Sequence, residues 1–269
     1  MSRIEKAIEK ATQIRESAGG QGPQLNRSAA AKMPVLSQQL ATEPLTVRES
    51  SLVCALPDYH PVAEEYKKLK SQILLMTKGK RFLNTLMVTS SLSEEGKSVT
   101  ALNLAVTMAR DYDHSVLLVD ADLRRPAVHK YLNFDPGYGL LQCLRDGAPL
   151  EGALVKTGLG KLVVLPAGGV AEDPVELLAS DQMKSLVVEM KHRYPERYII
   201  IDTPPTLLFA EAQALSSVAD GVLFVVREGV AKIAQIRQAL AALQGANLLG
   251  VIYNDAFLVG RKKKYYDYY

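Results

Sequence analysis

The chain has 269 residues, 48% hydrophobic and 23% charged, with a net charge of +3. That size suits one α/β domain with extensions, or at most two domains, and the charge is too small to imply nucleic-acid binding. Cys54 and Cys143 show neither C-x-x-C spacing nor a neighbouring His, which argues against a zinc site or a disulfide framework and fits a reducing cytoplasm.

Residues 2–17 place Ile4, Ala7, Ile8, Ala11 and Ile14 at helical spacing among charges, so residues 1–18 are expected to form an amphipathic helix that either docks on a partner or folds onto the protein's own surface. Residues 19–58, opening with "GGQGP" and rich in Gln, Ser, Ala and Pro, read as a flexible linker. No apolar run approaches the roughly 18 residues that span a bilayer, and no signal-peptide core is visible. Any membrane attachment is therefore expected to be peripheral, through a partner.

From residue 59 to 256 a folded domain is expected. "PVAEEYKKLKSQILLM" (61–76) is a helical pattern with Pro61 in its favourable first turn. Six short apolar strands follow, at 85–89, 115–120, 161–167, 197–202, 221–226 and 248–253. Helical patterns lie near 98–112, 174–193, 210–218 and 231–243. Unbroken apolar strands alternating with helices predict a mostly parallel, doubly wound α/β sheet buried on both faces. Ligands of such sheets bind beyond the carboxyl ends of the strands.

Three of those ends carry chemistry. "SSLSEEGKS" (90–98) joins a strand to a helix. Gly96, Lys97 and Ser98 supply the end of a phosphate-binding loop, with Lys97 expected in a solvated loop rather than the core: backbone amides at a helix N-terminus, a lysine for phosphate oxygens and a hydroxyl for Mg²⁺. Ser91 stands where the motif's first glycine is usual, and a plain polar helix start is the alternative. "VLLVDADLRRP" (116–126) puts Asp120 and Asp122 astride a strand terminus. They are either a solvated pair or, beside a phosphate loop, a general base and a metal-holding carboxylate. "YIIIDTPP" (198–205) ends an apolar strand in Asp202, which is either a turn residue or a second acidic Mg²⁺ site.

Together these stretches resemble the Walker A, A′ and B motifs of the bacterial tyrosine kinases, P-loop NTPases of exopolysaccharide and capsule production. "LVVLPAGGVAEDPVELLAS" (162–180) is similar to that family's L-P-A-G…P-x-E-L-L segment, and "EEYKKLKSQI" (64–73) to its E-x-x-R-x-x-R oligomerisation helix. The opening "MSRIEKAIEKA" further resembles stand-alone, EpsG-like or exosortase-associated tyrosine autokinases. The resemblance implies an autokinase using ATP and Mg²⁺, with Glu94, Glu95, Gly96, Lys97, Ser98 and Val99 around the nucleotide. It implies Ser98, Asp120, Asp122 and Asp202 at the metal, Lys97, Asp120 and Asp122 in catalysis, and Asp120 as base for tyrosine. Glu64, Lys67 and Lys70 fall on the oligomerisation motif, where lysines replace both arginines. Lysine lacks the planar fork that binds carboxylate bidentately.

The chain ends in "RKKKYYDYY". This basic tail, 257–269, offers Tyr265, Tyr266, Tyr268 and Tyr269 as phosphoacceptors on a tether reaching about 33 Å from Asp255. The expected partners are a transmembrane chain-length-determinant type activator at the inner membrane, a cognate tyrosine phosphatase and other copies of the chain, with no nucleic acid. Association of copies is expected through the tail and helix 61–76. Two other classes compete. A ParA/MinD-type positioning ATPase would share the fold, but its usual extra loop lysine is missing from 89–95. A non-catalytic membrane adaptor would rely on "RKKK", which is worth at most about 4 kcal/mol at an anionic surface.

Overall fold

A computed structural model describes residues 45, 47, 50–56, 60–79, 82–193 and 196–256. The docking helix at 1–18 and the tyrosine tail at 257–269 lie outside the described residues. All described residues fall within one compact unit, Gln38–Tyr269.

In chain order the elements are α1 (Pro61–Thr77), β1 (Thr85–Ser90), α2 (Lys97–Ala109), β2 (Ser115–Asp120), α3 (Val128–Tyr131), α4 (Leu140–Arg145) and α5 (Leu150–Ala153). There follow β3 (Val155–Lys156), β4 (Leu162–Leu165), α6 (Pro174–Ala179), α7 (Asp181–Arg193), β5 (Arg197–Asp202), α8 (Glu211–Ser216), β6 (Gly221–Arg227), α9 (Ile233–Ala242) and β7 (Leu248–Asn254). The seven strands form one sheet in the order β3-β4-β2-β5-β1-β6-β7. Every pairing is parallel except the short β3–β4 edge. The mostly parallel, doubly wound architecture expected from the sequence is thus the one observed.

The two faces of the sheet explain why its strands do not alternate in polarity. Leu86, Val88, Val116, Leu118, Tyr198, Ile200, Leu223 and Val225 pack with α1 and α2 in one cluster. Their neighbours Met87, Leu117, Val119, Ile199, Ile201, Val222, Phe224 and Val226 pack on the other face with α4 to α9. Successive side chains on a strand point to opposite faces, so a strand covered on both must be apolar throughout.

Three local features depart from the sequence reading. The stretch read as linker up to residue 58 contains a strap, residues 50–56, that belongs to the folded body. Leu52, Val53 and Cys54 are buried there. Asn103, in the middle of α2, holds the strap: its Oδ1 accepts from Cys54 N at 3.0 Å and its Nδ2 donates to Ser51 O at 2.9 Å. The helical pattern at 174–193 is two helices. Ser180 is extended and its Oγ accepts from Met183 N at 3.1 Å, capping α7 and ending α6. The short elements α3, α4, α5 and β3 have too few residues to carry a period.

Candidate active site

Five strand termini meet at one end of the sheet: Ser90, Asp120, Asp202, Arg227 and Asn254. Each ends an apolar run in a polar residue, and the parallel topology delivers them to one rim. Asp120 and Asp202 are register partners on adjacent strands, both fully buried.

The loop between β1 and α2 folds as a phosphate-binding loop should. Gly96 is left-handed, with φ of 87°, directly before the first turn of α2. A β-carbon there would come within 2.1 Å of Asn254 Nδ2. Ser91 is not among the residues with positive φ, so serine serves in place of the usual first glycine without backbone strain. Glu94 does adopt a left-handed φ of 65°. The Glu95 side chain is buried and its Oε2 accepts from Leu92 N at 2.6 Å, which ties the loop across itself. Two residues that the motif search passed over brace the loop from outside. Asn254 Nδ2 donates to Glu95 O at 3.0 Å, and Arg227 Nη1 to Glu94 O at 3.3 Å while its Nη2 pairs with Asp255 at 2.8 Å. Their signal was present in the sequence, because both end apolar strands just as the aspartates do.

Lys97 was expected on a solvated loop. It is instead the first residue of α2, with a side chain only 14% exposed and its Nζ 3.2 Å from Asp122 Oδ2. Burial opposes its charge, but Asp202, Asp122 and Asp120 outweigh that and raise its pKa. Asp120 Oδ2 accepts two backbone bonds at 3.1 Å, from Ala127 and Val128, whereas its Oδ1 is buried without a hydrogen bond. Neither oxygen of Asp202 makes a hydrogen bond of normal geometry, though the nearby Ser98 hydroxyl favours its charged form. Burial, reinforced by Asp202 and Asp122, lifts the Asp120 carboxyl to about 8. Burial also lifts Asp202, to about 6, against the pull of Lys97.

Three buried carboxylate oxygens without partners are costly unless a cation or a proton meets them. Among the described residues no three acidic, His or Cys side chains already form a metal cluster. One or two carboxylates with a Ser hydroxyl and substrate phosphates is, however, the usual protein share of a Mg²⁺ site. Ser98, Asp120 and Asp202 fit that donor set, and Asp122 is engaged by Lys97. Val99, also assigned to the nucleotide, follows Ser98 in the same first turn.

Beside this group Arg124, four residues after Asp120, donates from Nε to Glu211 Oε1 at 2.6 Å and lies 4.5 Å from the Phe209 ring centroid. Glu211 is fully buried. No sequence motif singled out this pair, whose members are 87 positions apart. At a distance from the site, on α1, Lys67 pairs with Glu64 at 2.6 Å and Lys70 with Asp111 at 3.1 Å.

Comparison with known proteins agrees with this geometry. Residues 91–247 match the family model described as an AAA domain. The tyrosine-protein kinase YwqD of Bacillus subtilis is 37% identical over 210 residues, which cover 77% of this chain and 86% of that one. The tyrosine-protein kinase ptk of Acinetobacter johnsonii is 33% identical over 174 residues, but the chain spans only 23% of its length. The solved kinase domain of the Escherichia coli tyrosine kinase ETK superposes with a TM-score of 0.69 at 25% identity, over 77% of this chain and 82% of that domain. With 37% identity over 86% of the length of a tyrosine-protein kinase, the chain belongs to the bacterial tyrosine kinases.

Proposed function

We propose that the protein transfers the γ-phosphoryl group of ATP to its own tail tyrosines, Tyr265, Tyr266, Tyr268 and Tyr269, in the service of exopolysaccharide synthesis or export. The observation that carries this reading is the cluster of Lys97, Ser98, Asp120, Asp122 and Asp202 at the open end of the sheet. Backbone amides of 94–98 and the Lys97 ammonium cradle the phosphates, and Asp122 keeps that ammonium oriented. Ser98, Asp202 and Asp120 would hold Mg²⁺, which when bound would supply neutralisation of phosphate charge. Asp120 is the candidate base, since two backbone bonds fix one oxygen and leave the other for a phenol. Burial and the neighbouring Asp202 and Asp122 raise the Asp120 carboxyl, which strengthens it as a proton acceptor.

Among the described residues no helix is long and apolar enough to cross a membrane. Residues 2–17 are the proposed docking segment for a transmembrane activator of chain-length-determinant type. The tail then works as a switch. Four phosphotyrosines add roughly −6 to −8 charges, against +4 from Arg261 to Lys264. An unmodified tail can enter a neighbour's site and join copies, whereas a phosphorylated one is repelled by Asp120, Asp122 and Asp202 until a phosphatase resets it.

The test is anti-phosphotyrosine detection after incubation with ATP and Mg²⁺, wild type beside Lys97→Met. Signal confined to the wild type supports the assignment, and equal signal removes it. Free phosphate without phosphotyrosine would indicate an ATPase instead. Light scattering on Lys97→Met with and without residues 261–269 tests the tail's part in self-association, and identical masses would remove that part.

A further inference from the structure

Tyr112 is the most exposed described tyrosine, at 94%, ahead of Tyr253 at 59% and Tyr138 at 43%. An aromatic ring kept almost wholly in water forgoes the stabilisation that burial of a large side chain provides. The ring stands on the short connection between α2 and β2, at the end of the sheet away from the nucleotide site. It also lines a cavity of about 340 Å³, together with Cys54, Ala63, Lys67, Lys70, Thr107, Arg110 and Asp111. Three of those side chains are cationic and one is anionic. Lys161 adds a further ammonium, donating to the Tyr112 carbonyl. The sequence around it, Arg110-Asp111-Tyr112-Asp113, shares the Tyr-Asp step of Tyr266-Asp267 in the tail.

We infer that Tyr112 is a further phosphorylation site of this kinase, and that Lys67, Lys70 and Arg110 receive the phosphoryl group once it is attached. The inference rests on the kinase reading above. The thirteen residues of α2 put Tyr112 about 20 Å from Lys97, so the donor site is that of a second copy. In the transfer, Tyr112 Oη attacks the γ-phosphorus of ATP and the new O–P bond replaces the bond from that phosphorus to the β–γ bridging oxygen. ADP leaves with the electron pair, and the phenolic proton passes to the receiving site's carboxylate and then to solvent. The product carries about −1.5 to −2 charges at neutral pH. Counted against the three cations, Asp111, bonded to Lys70 at 3.1 Å, and Glu64, bonded to Lys67 at 2.6 Å, leave a net +1 at the cavity, and the two paired lysines can exchange a carboxylate for the more highly charged phosphate. Asp113 is exposed, where solvent and salt screen its repulsion. Lys67 and Lys70 are also the residues aligned with the oligomerisation motif, so phosphate drawn onto them removes their charge from any contact made by α1.

The experiment uses full-length wild type as enzyme and full-length Lys97→Met or Asp120→Asn protein as inert acceptor, each checked for a folded circular dichroism spectrum. ATP and Mg²⁺ are added and phosphopeptides of the acceptor are mapped by mass spectrometry. Phosphate at Tyr112 as well as the tail, lost at that position in Tyr112→Phe, is the expected result. Phosphate on the tail alone overturns this inference and leaves the kinase reading standing, while no phosphate on either protein overturns both. A general tyrosine phosphatase added afterwards should clear phosphotyrosine 112 several-fold more slowly than the tail. The double variant Lys70→Gln/Arg110→Gln should erase the difference, and equal rates in the unaltered cavity would overturn the role given to its cations.

Discussion

At the amino end of the strands, Asp220 accepts from the backbone of Asn84 at 3.2 Å and Thr85 at 3.0 Å, and from Lys191 Nζ at 2.8 Å. At the carboxyl end, Asp202 is fully buried, where the Asp220 side chain keeps 6% exposure, and it accepts no hydrogen bond of normal geometry. The same residue type therefore sits at both ends of one sheet with opposite accounts of its charge. One end joins β1, β6 and α7 through a carboxylate whose partners come from the protein. The other leaves carboxylate oxygens without partners from the chain, and the proposed function fills them with a metal ion and a substrate hydroxyl. A buried group is stabilising where its partners are built in and functional where they are withheld.

Substitutions at the two ends should separate accordingly. The largest effect is expected for Lys97→Met, with phosphotyrosine formation falling by at least about a hundredfold, as for other lost stabilisers of transition-state charge. Radiolabel transfer from ATP measures it. Asp120→Asn should lower turnover by roughly 10²–10⁴-fold, the range of a lost general base, while sparing nucleotide affinity. Fluorescent-nucleotide titration beside turnover distinguishes that from a loss of binding. At the opposite end Asp220→Ala should leave turnover per folded molecule intact but cost about 3 kcal/mol, because it strands two amides and an ammonium. Denaturant melts report the cost, and a stability unchanged by Asp220→Ala would end the contrast drawn between the two rims.

A smaller, pH-dependent effect sharpens the comparison. Burial raises the Asp120 carboxyl to about 8, so folding takes up a proton and this carboxyl makes the metal-free protein less stable as pH rises through the window from the ordinary carboxylate range to about 8. Asp120→Asn removes that liability, and an amide oxygen can still accept from Ala127 and Val128. The variant should therefore melt higher than wild type at pH 8 without metal, with the gain shrinking toward pH 5. A gain that instead grew as pH fell would reverse the sign assigned here. The least effect belongs to Tyr198→Phe at the amino end. It removes the 2.7 Å bond to Thr77 Oγ1, which keeps its own bond to Ile73 O, so about 1 kcal/mol is expected from calorimetry.

The regular parts of the molecule were legible because each strand carries its own signal. Met87, Leu117, Ile199 and Phe224 announce burial on the second face within five or six residues, and Asp120 and Asp202 stand out as charges ending apolar runs. Arg227 and Asn254 obey the same rule but belong to no named motif, so nothing beyond their position at the end of an apolar run marks them. The exposure of Lys97 was misjudged since nothing local to "GKS" reveals two aspartates converging on it from other strands. Arg124 and Glu211 were invisible for the same reason, being brought together by the sheet order. The break at Ser180 was concealed by an apolar period that runs through both α6 and α7. The strap at 50–56 was missed because three buried residues, Leu52 to Cys54, establish no period at all.

That strap has a mechanical consequence. Tension on the chain ahead of residue 50 enters the domain through Ser51 and Cys54, and both are fastened to the carboxamide of Asn103. Asn103 is six residues from Lys97 on the same helix, about 9 Å along its axis. Its Nδ2 also donates to Val99 O at 3.0 Å, inside the first turn behind the phosphate loop. A pull from the amino-terminal side that passes the bond from Leu45 N to Thr157 O, at 2.9 Å beside the edge of the sheet, is therefore borne by the helix that carries Lys97 and Ser98. The leash and the catalytic helix share one anchor point.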